Sequence, residues 1–284
     1  MLELFGGELE KICLQKLLFL FTQKQEKPDY EFIPYKYGCY SYSANADLTT
    51  MVAKLFLIET GYSFIKSDKT NYLKLLKADD KLKFDKVKAT YGNMSSDALI
   101  KHTYIDYPYW AINSVKASSI LNADELDNVK KEKNQDDKTI LFTIGYQGSS
   151  LEGYLNRLIK NDVKVLIDVR NNPLSMKFGF SKNLLKRYCE NLNILYVHIP
   201  EVGIMSDQRK GLNTQADYDA LFEFYSKVNL PDTKVAQENI LNLLNTYRRV
   251  ALTCFEADIC QCHRKPLAEA IQKLPGFNCE TKHI

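Results

Sequence analysis

The sequence lacks the long apolar run that a membrane-spanning helix needs. Its longest apolar stretch, residues 17–21, is far too short to cross a bilayer. Residues 1–8 have no basic stretch followed by an apolar core, which a secretory signal peptide requires. The formal net charge is only +3 over 284 residues, with no basic block, so charge neither demands nor excludes a nucleic-acid partner. These absences predict a cytoplasmic protein without a membrane partner.

A disulfide scaffold is also missing. The chain has 7 cysteines, an odd number, at a density well below that of small secreted disulfide-rich domains. We therefore expect thiols that are free, metal-bound or catalytic. A hydrophobic fraction of 45% and a charged fraction of 26% are ordinary for a globular protein, and the length allows two domains.

A polar segment divides the chain into two parts. Residues 123–138 offer almost nothing to bury, which is typical of a linker or an exposed helix. Apolar residues before this segment recur mainly at helical spacing. We predict a mainly helical domain over residues 1–115, a charged linker over 116–139 and an α/β domain over 140–284.

Short apolar strands alternate with helical patterns in the second part. The strands are predicted at residues 140–144, 163–169, 194–199 and 250–254, with a last edge strand over 279–284. Repeated alternation of this kind is typical of a parallel sheet with helices on both faces. The predicted fold class is therefore α/β, with a three-layer parallel-sheet domain preceded by a mainly helical one.

Polar and reactive side chains follow the predicted strands. Because the carboxyl ends of parallel strands meet at one edge of a sheet, we expect these side chains to converge there. Those predicted to be catalytic are Asp168, Arg170, His198, Glu201, Cys254 and Glu256. Tyr146, Arg264 and Ser175 are predicted to bind the substrate, with the arginines Arg170 and Arg264 holding an anionic group such as phosphate.

The densest cluster of reactive groups lies in residues 253–264, and three interpretations of it stay open. Cys254 is a candidate nucleophile, because a thiolate is stabilised at a helix N-terminus. Cys260, Cys262 and His263 are candidate ligands for zinc or another divalent transition metal, although metal ligands seldom all come from one short loop. A buried, inert thiol is the third interpretation. Asp168 and Arg170, likewise, could form a pair that only braces its loop.

The second part resembles domain-of-unknown-function family 488. The segments that carry the resemblance are 143–146, 168–175, 180–182, 196–203 and 254–256 together with 262–264, in the order of the family. The resemblance extends from about residue 140 to 284 and implies a fold and a site, but no reaction. The family usually has histidine where Tyr146 stands, and Cys260 lies outside its usual pattern.

The first part is similar to Panacea-type domains, which are associated with antitoxins and phage-linked proteins. The similarity is carried by residues 14–20, 37–38 and 57–61. It implies a protein partner for this part of the chain. The tyrosines near residue 37 with Lys36 could also stack on bases, but packing on the helical domain explains them better.

Two functions from different classes follow. In the preferred hypothesis the α/β domain is an enzyme that acts on a nucleotide or nucleic-acid-related substrate at the strand ends. In the alternative the protein is a non-catalytic regulatory or antitoxin-like protein-binding module, whose α/β domain senses a ligand.

Overall fold

The computed structural model describes all 284 residues. They form two compact units, Met1–Lys133 and Asn134–Ile284. No helix is both long enough and apolar enough to span a membrane.

The first unit is rich in helices and contains small sheets. Its helices are α1 (Lys11–Thr22), α2 (Tyr42–Ala53), α3 (Ala78–Tyr91), α4 (Ser96–Asp106), α5 (Ala117–Ile120) and α6 (Ala123–Lys131). Its strands are β1 (Glu8–Glu10), β2 (Ile33–Tyr35), β3 (Gly38–Tyr40), β4 (Leu57–Glu59) and β5 (Ser63–Lys66). Strands β1, β5 and β4 form one antiparallel sheet, and β2 and β3 form a hairpin. The predicted helical character is confirmed, and the strands are an addition.

The structure differs from the prediction in the segment expected to be a charged linker. Residues 117–131 fold as α5 and α6 inside the first unit, and this unit ends at residue 133. Ala117, Leu121 and Val129 are buried with residues of α4. Asn122 and Glu125 form a capping box that starts α6. Three well-spaced apolar side chains are therefore enough to fold a segment whose composition is otherwise polar.

The second unit is a three-layer α/β domain, as predicted. Its strands are β6 (Ile140–Gly145), β7 (Val165–Asp168), β8 (Leu195–His198), β9 (Arg249–Cys254) and β10 (Glu280–His283). They form one five-stranded, wholly parallel sheet in the order β10-β6-β9-β7-β8. Its helices are α7 (Leu151–Lys160), α8 (Lys182–Asn191), α9 (Gln215–Phe224), α10 (Leu230–Asp232), α11 (Lys234–Tyr247) and α12 (Arg264–Gln272), with a π-helical segment, Tyr225–Asn229, joining α9 to α10.

Alternating side chains bury both faces of this sheet. Ile167 of β7 and Leu252 of β9 belong to a core that α11 and α12 complete. On the other face, the Tyr154 hydroxyl of α7 donates a hydrogen bond to Thr253, at 2.8 Å. The register pairs Asp168 with His198 and with Thr253, so the polar ends of β7, β8 and β9 lie side by side.

Two glycines let loops cross the strand ends closely. A Cβ at Gly145 would lie 1.9 Å from the carbonyl oxygen of Glu256, and one at Gly203 would lie 2.3 Å from the amide nitrogen of Asn171. Both distances are far below contact, so only glycine lets the chain pass there. The end of β6 therefore meets the loop after β9, and the loop after β8 meets the loop after β7, at one edge of the sheet.

Candidate functional site

The site is centred on Cys254, the last residue of the central strand β9. Its side chain is buried, and its sulfur faces three polar groups. The thiol donates a hydrogen bond to Glu256 Oε2 at 3.0 Å, and its Sγ lies 3.7 Å from His263 Nδ1. Arg209 Nη2 is 4.0 Å from the same sulfur. A thiol, a carboxyl, an imidazole and a guanidinium therefore meet at one point.

Residues at the start of α12 supply the second thiol and orient the imidazole. His263 Nε2 lies 3.0 Å from the carbonyl oxygen of Val169, so it donates there and leaves Nδ1 facing Cys254. Cys262 is buried beside it, and Arg264 donates from Nε to Cys262 Sγ at 3.0 Å. Arg264 also donates to the Glu256 carbonyl oxygen at 2.5 Å. Both contacts of Arg264 stay inside the protein, so it braces the loop after β9.

The environment shifts the protonation of the site in opposite directions at two residues. Burial opposes ionisation of Cys254, but the neighbouring Cys262 thiol, His263 and Arg209 outweigh it and hold the pKa of Cys254 well below its ordinary value. Burial, followed by the charge of Cys254, raises the pKa of Glu256. Relative to free side chains, these shifts favour the thiolate form of Cys254 and the protonated form of Glu256.

Arg209 belongs to the site although sequence reasoning missed it. It ends the short 3-10 helix Ser206–Arg209 in the loop that follows β8. Its guanidinium forms an ion pair with Glu256 and lies 2.7 Å from His263 Nδ1. The signal available in the sequence was that Arg209 is a basic residue in a polar loop after β8, and this loop lies at the same edge of the sheet.

A cavity of about 310 Å³ opens onto Cys254, Arg209 and His263. Its walls combine the aromatic rings of Tyr146 and Phe255 with hydrogen-bonding side chains. The polar residues on these walls are Asn171, Asn172, Ser175 and Ser206. A small cavity with aromatic walls and a few converging polar groups is typical of a ligand site.

Asp168 and Arg170 are brought together beside this cavity, but their bonding groups are already used. Arg170 donates from Nε and Nη2 to the two carboxylate oxygens of Asp168, at 2.8 and 2.5 Å. Its Nη1 donates to the hydroxyl of Tyr146 at 2.7 Å and to the carbonyl oxygen of Phe180 at 2.9 Å. Tyr196 donates to Asp168 Oδ2 at 2.6 Å. Every nitrogen of this guanidinium therefore donates to a group of the fold, although Arg170 also lines the cavity.

Two residues predicted to be catalytic line a different cavity. His198 and Glu201 face a space of about 660 Å³ next to α11, and neither lines the Cys254 cavity. The ring of His198 is held by the Arg170 carbonyl oxygen and by Lys182 Nζ, both at 2.9 Å. His198 thus supports the loop after β7 from outside the thiol cluster.

The predicted metal ligands are only partly brought together. The ligand atoms of Cys254, Cys262 and His263 lie within 4.8 Å of one another, whereas Cys260 is exposed and does not join them. Zinc holds thiolate and imidazole ligands at about 2.0–2.3 Å, which is compatible with this spacing. However, the Arg209 guanidinium faces the ring nitrogen that a metal would need, and Arg264 donates to Cys262. Two cations already occupy the directions from which a metal ion would bind.

Comparison with known proteins identifies one family for part of the second unit. Residues 150–271 match the family described as Domain of unknown function DUF488. The match covers just under half of the 284 residues, and it confirms the resemblance of the second part of the chain to this family. The match includes Asp168, Arg209, Cys254 and His263, while Tyr146 lies just before it. No curated protein and no solved structure matches the chain. The similarity of the first unit to Panacea-type domains stays a prediction.

Proposed function

We propose that the second unit is an enzyme in which the Cys254 thiolate attacks a small anionic substrate of the nucleotide type. The observation that carries this proposal is the position of the Cys254 sulfur. It faces a ligand-sized cavity and lies within 4.0 Å of groups from Glu256, His263 and Arg209. A buried thiol that were only structural would need none of these partners.

Cys254 and Glu256 divide the work of nucleophile and acid. The depressed pKa of Cys254 supplies a thiolate, the form of cysteine that attacks electrophiles. The raised pKa of Glu256 keeps a proton available for the leaving group. Opposite shifts on two neighbouring groups are a common way of assigning acid and nucleophile roles.

The reaction that fits these roles is a two-step hydrolysis. The sulfur of Cys254 gives its electron pair to an electrophilic atom of the substrate, and the leaving group departs with the electron pair of its bond and the proton of Glu256. Water then attacks the same atom and gives a proton to the Glu256 carboxylate. The Cys254 sulfur departs with the electron pair of its bond to the substrate, which restores the thiolate and the protonated Glu256. No oxidant or further reactant is needed.

Arg209 and the cavity walls suit an anionic substrate with a ring. The guanidinium of Arg209 can pair with a phosphate or carboxylate next to the sulfur. Phe255, which is exposed, offers an aromatic face for a base, and Asn171 and Asn172 offer hydrogen bonds to its edge. Asp168 and Arg170 act as positioning residues, since their contacts fix the wall that carries Tyr146.

The proposal is tested by incubating the full chain with a nucleotide and nucleoside mixture and following the composition by mass spectrometry. We expect wild type and a Cys260→Ser control to consume the same compound, and Cys254→Ser to consume none. Glu256→Gln should consume the compound much more slowly than wild type, because the leaving group no longer receives a proton. Consumption of the compound by Cys254→Ser at the wild-type rate, or consumption of nothing by wild type, would contradict the proposal.

Zinc or another divalent transition metal on Cys254, Cys262 and His263 is the second candidate, favoured by the spacing of their ligand atoms. The two arginines beside these ligands argue against it, and elemental analysis separates the two ideas. A stoichiometric ion, lost in Cys262→Ser, would replace the thiolate mechanism with a metal site.

We propose that the whole protein functions in the cytoplasm, because all seven cysteines are free and the mechanism needs a reduced thiol. The first unit would then recognise a protein partner, as its similarity to Panacea-type domains implies. If the Cys254→Ser variant kept every cellular effect of the protein, and deletion of the protein partner of the first unit abolished those effects, the non-catalytic regulatory function would be favoured.

A further inference from the structure

The first unit contains a cavity of its own, of about 540 Å³. Apolar and aromatic side chains form most of its wall. They come from α1, the β2–β3 hairpin, α2 and the turn before β5, and include Ile12, Tyr35, Tyr40, Leu48, Tyr62 and Phe64. Tyr62 is largely exposed, so the cavity has a mouth at the surface.

One cation lies on this wall without a counter-charge. Lys16 of α1 is only 1% exposed, and its Nζ donates to the Cys39 carbonyl oxygen at 3.0 Å and also contacts the Cys39 thiol. An ammonium group has three hydrogens to donate, and no carboxylate accepts any of them. Lys11, also on the wall, is different because it is part-exposed and pairs with Glu59 at 2.7 Å.

The surroundings of Lys16 keep its ammonium both buried and open to the cavity. The amide of the neighbouring Gln15 donates to and accepts from the backbone of Ser41. Gly38 has a φ of +88°, and a Cβ there would lie 2.5 Å from the Tyr104 ring and 3.1 Å from Lys16 Nζ. Glycine therefore allows Tyr104 to approach and also leaves space next to the charge. Burying an unpaired charge is costly, and burial accordingly lowers the pKa of Lys16.

We propose that this cavity binds a small molecule with an apolar or aromatic body and one carboxylate, which pairs with Lys16. The wall matches the body, and the single unpaired cation matches a single negative charge. Glu10 also lies on the wall, so a doubly charged group such as a phosphate monoester would leave excess negative charge. An acceptor oxygen of a carboxylate would supply the counter-charge that Lys16 lacks in the fold.

The test is calorimetric titration of the full chain with phenylacetate, 3-phenylpropanoate and 4-phenylbutanoate, their amides, and phenyl phosphate. We expect at least one acid to bind ten or more times as tightly as its amide and as phenyl phosphate. Lys16→Met should remove this preference, whereas Lys11→Met should change the affinity less than twofold. Equal binding of acid and amide, no binding of any acid, or unchanged binding by Lys16→Met would each overturn the proposal.

A peptide arm distinguishes the source of the carboxylate. Tight binding of a tetrapeptide ending in phenylalanine, with no binding of the small acids, would overturn the assignment to a small molecule. Should Lys16→Met fail to fold, amine-detected NMR of wild type gives the same decision. The Lys16 ammonium signal should shift with the acid and not with its amide, and an unmoved signal would overturn the proposal.

Discussion

Two arginine–carboxylate pairs lie at the same edge of the sheet in the second unit, and they differ in what surrounds them. Arg170 and Asp168 are both buried, and they bind each other and neighbouring groups of the fold. Arg209 and Glu256 are also paired, but both of them contact the Cys254 thiol as well. The same two residue types thus form a brace in one place and a candidate reactive centre in the other.

The comparison teaches that the surroundings of a buried charge indicate its role better than its residue type does. Arg170 and Lys16 are both buried cations, yet Arg170 is paired with a carboxylate and Lys16 is bound only by groups of Cys39. A satisfied buried pair fixes a loop. An unsatisfied buried charge needs a partner that the fold does not provide.

The largest effect is expected from breaking the buried pair. Arg170→Met leaves Asp168 buried without its cation, so we expect a loss of about 3–5 kcal/mol in the free energy of unfolding. Arg209→Met is the matched control and should cost about 1–2 kcal/mol, because its partner remains near the cavity. Urea unfolding measures both changes in the free energy of unfolding. Equal losses in the two variants would show that the two pairs do not differ in their contribution to stability.

Arg209→Met should instead act on the thiol. Removing this positive charge raises the pKa of Cys254, so a smaller fraction is thiolate below neutral pH. We expect the pH midpoint for alkylation of Cys254 by iodoacetamide to move upward and the rate at pH 6 to fall. Arg248→Met, an exposed arginine at the other end of β9, should leave the rate unchanged. An unchanged rate in Arg209→Met would show that its charge does not activate Cys254.

The sequence predicted the sheet well because periodicity reports burial directly. The strands of the second unit and the edge strand β10 lie close to their predicted bounds, and alternation with helices was enough to predict parallel order. The three-residue strands of the first unit were missed, because a strand of that length carries no period. Residues 117–131 are predicted to lie in a linker because their composition is mainly polar, and composition alone does not show that three of their side chains are buried.

The site was predicted less completely, because spacing along a loop does not determine where each side chain points. Cys260 and Cys262 are two positions apart, yet the Asp258 side chain accepts from the Cys260 amide and starts a short turn that leaves Cys260 exposed. Cys262 follows this turn directly, and its side chain is buried. Arg209 was not predicted because no pattern in its loop indicates that it folds back onto Cys254 and His263.

A smaller effect is expected in the pH dependence of stability. Because the pKa of Glu256 is raised in the folded state, its contribution to stability is complete below the ordinary glutamate pKa, about 4.3, and is lost as pH rises through the folded value. The free energy of unfolding of wild type relative to Glu256→Gln should therefore fall as pH rises from 4 towards 8. Glu201→Gln, at an exposed carboxylate, is the control. A difference that stays flat or rises would show that the carboxyl group of Glu256 does not hold a proton in this site.

The smallest effect is expected from chelation. Arg209 and Arg264 direct their donors at His263 and Cys262, so a divalent cation would have to displace two guanidinium groups to bind there. We expect protein purified under anaerobic conditions to contain far less than one zinc per chain, and its melting temperature to be unchanged by a strong chelator. His263→Ala should leave the metal content equally low. A stoichiometric metal that disappears in His263→Ala, with a lower melting temperature on chelation, would contradict this prediction. Arg209 and Glu256 would then support a metal site and not an activated thiol.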